Sequence, residues 1–431
     1  MSKATLADIS RIHCIGIGGI GMSALARFLL QEKKVVSGSD RALTPITEAL
    51  QTEGVTIFTS QLAANISDDI EMIVYTEAMT QDHPEMVAAR ALGVPMMNYF
   101  EALGLAMNPY YLIAISGTHG KTTTTAMLTD IFEVAEKDPT AIIGSLRAKT
   151  KSNFRAGKSK YAIVEACEYK RDFLHLKPDV LVITNVEYEH TDYYKDLADV
   201  QNAFRTFVEQ VNEGGVVVAN TKDPNIKPII EGFDNVIDYT ELFDVMLPLK
   251  QPGVHNRLNA AAALTVARHE KLSVEESKAA LAEFAGTWRR FEYKGEFQGV
   301  PVYDDYAHHP TEIKATLDGV RELYPNKDIT IVFEPHTYSR TGMLFDDFAR
   351  AFAHADRVLL MPIYAAREEN PDGISSRELA VKSLEYNKNV LYVPSYEDAI
   401  ETLKDATKQN DVIVVLGAGN ITKLATELVT K

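Results

Sequence analysis

Residues 112–128 read LIAISGTHGKTTTTAML. An apolar, strand-like run meets a turn bounded by Gly117 and Gly120, and Gly-Lys-Thr then leads into a helix-like run. That order of elements makes an anion site, because loop amides and the positive end of the helix dipole point at one place. Lys121 is placed to reach the β- and γ-phosphates of a nucleoside triphosphate, and the Thr122 hydroxyl to sit on magnesium. Ile115 stands where the full phosphate-loop pattern has its first glycine. The loop is therefore a shortened form, Gly117, Thr118, His119, Gly120, Lys121 and Thr122, with Thr123 following in the helix. A glycine turn carrying a surface lysine is the plain alternative, and the strand before it and helix after it speak against that.

Outward from this loop, strand–helix alternation restarts three times. On the N-terminal side, RIHCIGIG (11–18), KVVSGSD (34–40), VTIF (55–58), MIVYT (72–76) and GVPMM (93–97) read as short strands separated by helical spacings. The pattern pauses at GLAMNPYY (104–111), where Asn108 and Pro109 suggest a linker. After the loop come YAIVEA (161–166), DVLVITN (179–185) and GGVVVAN (214–220) as strands, then an Ala-rich helix, NRLNAAAALTVARH (256–269). A second break falls at AGTWRRFEYKG (285–295). The last block repeats the alternation with VPVYDDY, DITIVFEP, RVLLMPI, NVLYVP and DVIVVLGAG. Such alternation predicts three consecutive doubly wound α/β domains with parallel sheets, 1–108, 109–288 and 289–431. Their sizes suit ordinary domains.

Composition narrows the function. With 60 acidic against 44 basic residues among 431, the net charge of −16 argues against a nucleic-acid binder, which carries a basic face. Two cysteines, Cys14 and Cys167, are too few for a disulfide framework and point to a reducing compartment. The N-terminal apolar run is broken by glycines and lacks a basic leader, so neither a signal peptide nor a membrane span is expected. The expectation is a cytoplasmic enzyme.

A triphosphate site needs more cation ligands than one hydroxyl. Glu165 closes a predicted strand, where α/β sheets gather their ligands, and Thr184, Asn185 and His190 follow the next one. In the first block, GIGGIG (16–21) after a strand, with Ser39 and Asp40 in SGSD, matches the dinucleotide fingerprint. Its physics is a helix N-terminus holding a pyrophosphate, which nicotinamide cofactors and UDP-sugars both carry. A nicotinamide-dependent oxidoreductase would leave the Gly-Lys-Thr loop without a task.

Eight stretches in order, GIGGIGMSALA, SGTHGKTTT, TNVEYEH, HNRLNAAAA, RRFEYKG, VYDDYAHHPTEI, EPHTYSRT and IYAAREENPDGISS, resemble the ATP-dependent Mur ligase family over almost the whole chain. The resemblance implies a Rossmann-like UDP-binding domain, a central phosphate-loop ATPase and a Rossmann-like C-terminal domain. It implies an ATP- and Mg²⁺-dependent ligase of peptidoglycan precursor synthesis, forming an amide between the lactyl carboxylate of UDP-N-acetylmuramate and L-alanine through an acyl phosphate. By the same pattern Gly18, Gly19, Ile20, Gly21, Ser39 and Asp40 serve the UDP moiety. Thr122, Glu165 and His190 hold metal. Asn256 and Asn259, with Arg289 or Arg290, lie near the base, and Asp304 or Asp305 near the ribose, the second of each pair being assigned. Tyr306, His308 and Arg340 complete the substrate side when the last domain closes, with Lys121, His190, His308 and Arg340 in the chemistry. Adjacent His308 and His309 cannot both face one pocket, and the pattern favours His308. A guanidinium at Arg340 suits the alanine carboxylate. The chain departs from the pattern in a shortened 240–254 segment and in Thr337, where relatives carry arginine. A ligase that reattaches a recycled tripeptide to the same UDP-sugar and a non-catalytic nucleotide-binding regulator are the competing readings.

Overall fold

The computed structural model describes residues 6–366, 368–370 and 373–430. Arg367, Pro371 and Asp372 of the 363–376 motif lie outside them. Three sheets follow one another along the chain. The first comprises β1 (Arg11–Ile15), β2 (Val35–Ser39), β3 (Thr56–Phe58), β4 (Met72–Tyr75) and β5 (Met96–Asn98), all parallel, in the order β3-β2-β1-β4-β5. Chain order reverses between β1 and β4, so the loop leaving β1 opens at the switch point where such sheets bind ligands.

The second sheet has β6 (Tyr111–Ser116), β7 (Thr140–Ile142), β8 (Phe154–Arg155), β9 (Tyr161–Glu165), β10 (Val180–Ile183), β11 (Val216–Ala219) and β12 (Val236–Asp238). Their order is β12-β11-β10-β6-β9-β7-β8. Leu112–Ile115 and Val180–Ile183 are wholly buried, as expected of strands covered on both faces. The third sheet, β13 (Glu292–Phe297), β14 (Val300–Asp305), β15 (Asp328–Phe333), β16 (Arg357–Leu360), β17 (Val390–Tyr392) and β18 (Asp411–Leu416), runs β13-β14-β18-β15-β16-β17.

Two expectations need correction. The sheets are not wholly parallel: β8 pairs antiparallel with β7, and β13 with β14. The 285–295 break is not all linker, because Glu292 already starts β13, a hairpin edge whose register shifts at Tyr293/Gly295. Its buried face is only Phe297, too little apolar patterning to announce a strand. Between Asp238 and Val254 no strand occurs among the described residues, in keeping with the shortened segment.

The chain forms two compact units. One holds the first two sheets, through Glu189 and with 196–243 and 259–281; the other holds 190–195, 244–258 and the third sheet from Ala282 onward. Among the described residues no helix is long and apolar enough to cross a membrane.

Candidate active site

Two helices that follow glycine loops begin without a side-chain cap. Ile20–Gln31 starts at Gly19 and Lys121–Val134 at Gly120, and neither N-cap residue supplies a side-chain acceptor for the first-turn amides. Other helices carry such a cap, with Thr44 before Pro45–Thr52 and Asn98 before Tyr99–Met107, though His83 gives none to Pro84–Leu92. Uncapped first-turn amides are orphan donors, available to an anion.

In the first loop Gly16 turns at φ +79°, and the amides of Gly16 and Ile17 donate to the Ser39 carbonyl at 2.8 and 3.0 Å. Asp40 Oδ2 accepts from the Gly18 amide at 2.8 Å, and a Cβ on Gly18 would strike that carboxylate. Asp40 therefore fixes the loop that it was expected to serve. Ser39 meets that loop through its carbonyl. Its side chain is fully buried, and the hydroxyl donates to Glu85 at 2.5 Å. Glu85 is itself enclosed, accepting from Asn65 at 2.7 Å with His13 Nε2 at 3.5 Å.

The second loop is laced to the segment after β10. Thr118 and His119 amides donate to the Asn185 carbonyl and Oδ1 at 3.0 and 2.9 Å, and Thr184 Oγ1 donates to the His119 carbonyl at 2.6 Å. Gly117, at φ +131°, packs on Thr184, and Gly120, at φ +85°, packs on Asn259, both too closely for a Cβ. Lys121 Nζ folds back over the loop, donating to the Gly117 carbonyl, to the Thr118 carbonyl at 3.0 Å and to Glu168, whose nearer oxygen is at 2.8 Å. Burial works to lower the Lys121 pKa, and Glu168 together with Cys167 and Glu165 more than offsets it, holding the ammonium above the ordinary lysine value.

Thr122 Oγ1 donates to Glu165 Oε1 at 2.9 Å, and the Gly144 amide donates to Oε2 at 2.7 Å. A Cβ on Gly144 would collide with both carboxylate oxygens. A hydroxyl and a carboxylate side by side form the hard oxygen donor set that magnesium takes, so these residues fit that ion. His190, at φ +55°, accepts through its carbonyl from Tyr193 and Tyr194 at 2.9 Å and groups with the second unit.

Beyond Glu168 the chain turns through Lys170 and Arg171, consecutive residues at φ +52° and +64°, and buries Asp172. Burial first, and the Glu77 carboxylate second, push the Asp172 carboxyl up to about 7. The native state thus binds a proton between pH 4 and 7 that the unfolded chain has released. This contribution is complete below pH 4 and is lost as pH rises through 7. Asp172→Asn has no such proton to lose. Its stability relative to wild type should climb by up to roughly 4 kcal/mol between pH 4 and 8, measured by urea midpoints; a pH-independent difference would refute the buried-charge account.

In the second unit, Arg289 is only 5% exposed and donates to the carbonyls of Gly417 and Gly419, with Asp304 Oδ2 at 3.5 Å from its Nε. Arg290 and Arg289 both lie over the Tyr306 ring, 5.0 and 5.1 Å from its centroid. Asp304 accepts from Thr422 Oγ1 at 2.5 Å, while both Asp305 oxygens accept backbone amides, Phe291 and Ala307, at 2.7 Å. Asp305 thus ties the hairpin entry to the loop after β14; burial pushes its carboxyl up to about 6 against the opposing Arg290 charge. Asn256 donates to the Pro252 carbonyl at 2.8 Å, so its amide stabilises the start of its own helix.

His309 caps the helix Pro310–Leu323 by accepting from the Thr311 amide. His308 joins a row of rings: Tyr306 at 5.3 Å, then His336 at 6.1 Å, which stacks on Tyr364 at 5.6 Å. A carbonyl can only accept, so His308 Nδ1, 3.0 Å from the Tyr306 oxygen, carries the proton there. Arg340 Nη1 lies 3.2 Å from His336 Nδ1, which is the acceptor because a guanidinium can only donate. Thr337, a β-branched residue at φ +66°, begins the Arg340 helix. That is a strained backbone of the kind that collects at functional sites.

Glu168, Gly144, His336 and Tyr364 were missed from sequence. Glu168 had a signal, as a second acid in EACEY one turn beyond Glu165, whereas Gly144 had none.

Three family models match in chain order: Mur ligase family, catalytic domain, over 11–111; Mur ligase middle domain over 115–242; and Mur ligase, glutamate ligase domain, over 289–419. The chain is 39% identical to the UDP-N-acetylmuramate–L-alanine ligase of Agathobacter rectalis, with 100% of both chains covered. Among solved structures it is similar to the UDP-N-acetylmuramate–alanine ligase of Thermotoga maritima, with TM-score 0.82 and 27% identity over 97% of this chain and 98% of that one. It is also similar to a murein peptide ligase of Psychrobacter arcticus, with TM-score 0.72 and 25% identity over 98% of each.

Proposed function

The chain belongs to the Mur ligase family, and from that premise we propose that it joins L-alanine to the lactyl carboxylate of UDP-N-acetylmuramate, with cleavage of ATP to ADP and phosphate. The observation that carries this reading is the pairing of an uncapped phosphate loop, with Lys121 folded over it, and the Thr122–Glu165 oxygen pair beside it. The first glycine loop is a second uncapped helix end, suited to the diphosphate of the sugar nucleotide.

The carboxylate oxygen attacks the γ-phosphorus and ADP leaves, giving an acyl phosphate. The alanine amine then attacks the acyl carbon, phosphate departs and the nitrogen loses a proton. Phosphoryl transfer depends on positioning and charge neutralisation rather than on covalent help from the protein. Lys121 therefore leaves Glu168 for the β- and γ-phosphate oxygens, while the amides of 121–123 hold the nucleotide. Magnesium, when bound, supplies further positive charge at the transferring group, with Thr122 and Glu165 as its holders. In the second unit, Arg340 takes the alanine carboxylate two-pronged, with the His308–His336 ring row beside it.

ADP formation with UDP-N-acetylmuramate and alanine, serine, glycine, D-alanine or tripeptide tests this. L-Alanine should be fastest, glycine about 10-fold poorer for one lost methyl, and the tripeptide rejected. Arg340→Lys should raise the alanine KM strongly and the ATP KM little, because an ammonium cannot make the two-pronged contact. Faster turnover with tripeptide would transfer the chain to the recycling reaction of the murein peptide ligase.

A further inference from the structure

The last glycine of the first loop, Gly21, has no positive φ to explain it. What forbids a side chain there is Tyr99: a Cβ on Gly21 would lie 2.7 Å from both its Cζ and its Oη. Tyr99 is the first residue of the helix Tyr99–Met107. A capping box holds it there, Asn98 Oδ1 accepting from the Glu101 amide at 2.8 Å and Glu101 from the Asn98 amide at 2.7 Å. Phe100 packs edge-on against the ring at 4.8 Å. Backbone capping and ring packing thus aim the phenol across the first turn of the Ile20–Gln31 helix.

Its hydroxyl has no hydrogen-bond partner among the described residues. Burial raises its pKa well above the ordinary tyrosine value, and the nearby Glu165 and Cys167 raise it further, so it stays a protonated donor. The position thus lies between the uncapped helix end and the carboxylate of the second sheet. Residues 16–21 contain no lysine or arginine, so a diphosphate held there meets amides alone unless a side chain adds a donor.

We propose that Tyr99 is a substrate-binding residue, whose hydroxyl donates to the diphosphate of the sugar nucleotide at the first glycine loop. This rests on the functional reading given above. Gly21 is small so that the phenol can reach the first turn, and the unpartnered hydroxyl finds its acceptor in the ligand.

Calorimetric titration of wild type and Tyr99→Phe with UDP and with UDP-N-acetylmuramate tests the assignment. The phenylalanine ring keeps the packing on Gly21, and an unchanged melting temperature confirms it. Losing a hydrogen bond to a charged group should weaken both ligands by roughly 10–100-fold. The sugar-nucleotide KM should rise alike, with kcat at saturation and the ATP KM unchanged. Wild-type affinity in Tyr99→Phe would overturn the proposal, as would a fall in kcat at constant Kd. Weaker binding of the sugar nucleotide alone would also overturn it, by moving the contact to the sugar acid. Wild-type protein that binds neither ligand would instead sink the functional reading, and this assignment with it.

Discussion

Lys121→Ala is expected to lower phosphate release by at least 10²–10³-fold, the usual cost of removing a preorganised charge from a transferring phosphoryl group. The loop offers no substitute. Its other groups are backbone amides, the Thr118 and Thr122 hydroxyls and the His119 ring, whose Nε2 faces Glu187 at 3.6 Å, and Glu168 is of the wrong sign. The same ion pair predicts a second effect. Glu168 is 2% exposed, so deleting its partner strands a buried carboxylate, which costs of order 3 kcal/mol. Lost activity could then report a damaged fold. Lys121→Met combined with Glu168→Gln removes both charges while keeping the volume. This double variant should recover most of the melting temperature and none of the turnover. A folded double variant with near-normal phosphate release would refute the role of Lys121. Glu168→Gln alone should tighten ATP binding several-fold, since the ammonium no longer has to leave a carboxylate to meet the phosphates.

Several of the strands named from sequence are buried on both faces. LIAI, VLVI and VIVVL are continuous apolar runs, and a parallel sheet covered by helices demands them. Two of the strands that escaped notice lie at sheet edges, while the short Thr140–Ile142 is interior and buried. Phe154–Arg155 and Glu292–Phe297 bury little and alternate poorly, so their pairing is decided by neighbours far away in the chain. The site divides in the same way. The placement of Lys121 over the loop and of Thr122 against Glu165 was legible because a strand end, a glycine and a helix start fix their positions locally. The partner of the Ser39 hydroxyl was not legible, because its place in SGSD says nothing of Glu85, forty-six positions on. The family pattern put Asp305 near the ribose, and in the structure two backbone amides claim its oxygens. Gly144 could not be read at all: its need for a bare Cα exists only once Glu165 lies against it.

That contact sets up the second large effect. Glu165→Gln keeps the shape and removes the charge, so it isolates the electrostatic part of the oxygen pair. One amide position can still accept from Thr122, but the other then turns an N–H₂ toward the Gly144 amide, which donates to Glu165 Oε2 at 2.7 Å in the native protein. Two donors face each other, and the side chain must shift or leave one unpaired, at about 1–3 kcal/mol. For binding, the nucleotide retains the loop amides and Lys121, so its affinity should change only a few-fold. For the reaction, negative charge builds between the transferring phosphoryl group and the attacking carboxylate, and a cation holder is needed most there. The rate should therefore fall by roughly 10²–10³-fold, and the Mg²⁺ concentration giving half-maximal rate should rise. Thr122→Val should share the raised requirement with a smaller loss of rate, since it removes one neutral ligand. The discriminating measurement is the rate as a function of Mg²⁺ at saturating ATP for wild type and both variants. If Glu165→Gln lowered nucleotide affinity and rate equally while the Mg²⁺ dependence stayed fixed, Glu165 would be a strut for Gly144 and Thr122 and not a holder of the ion.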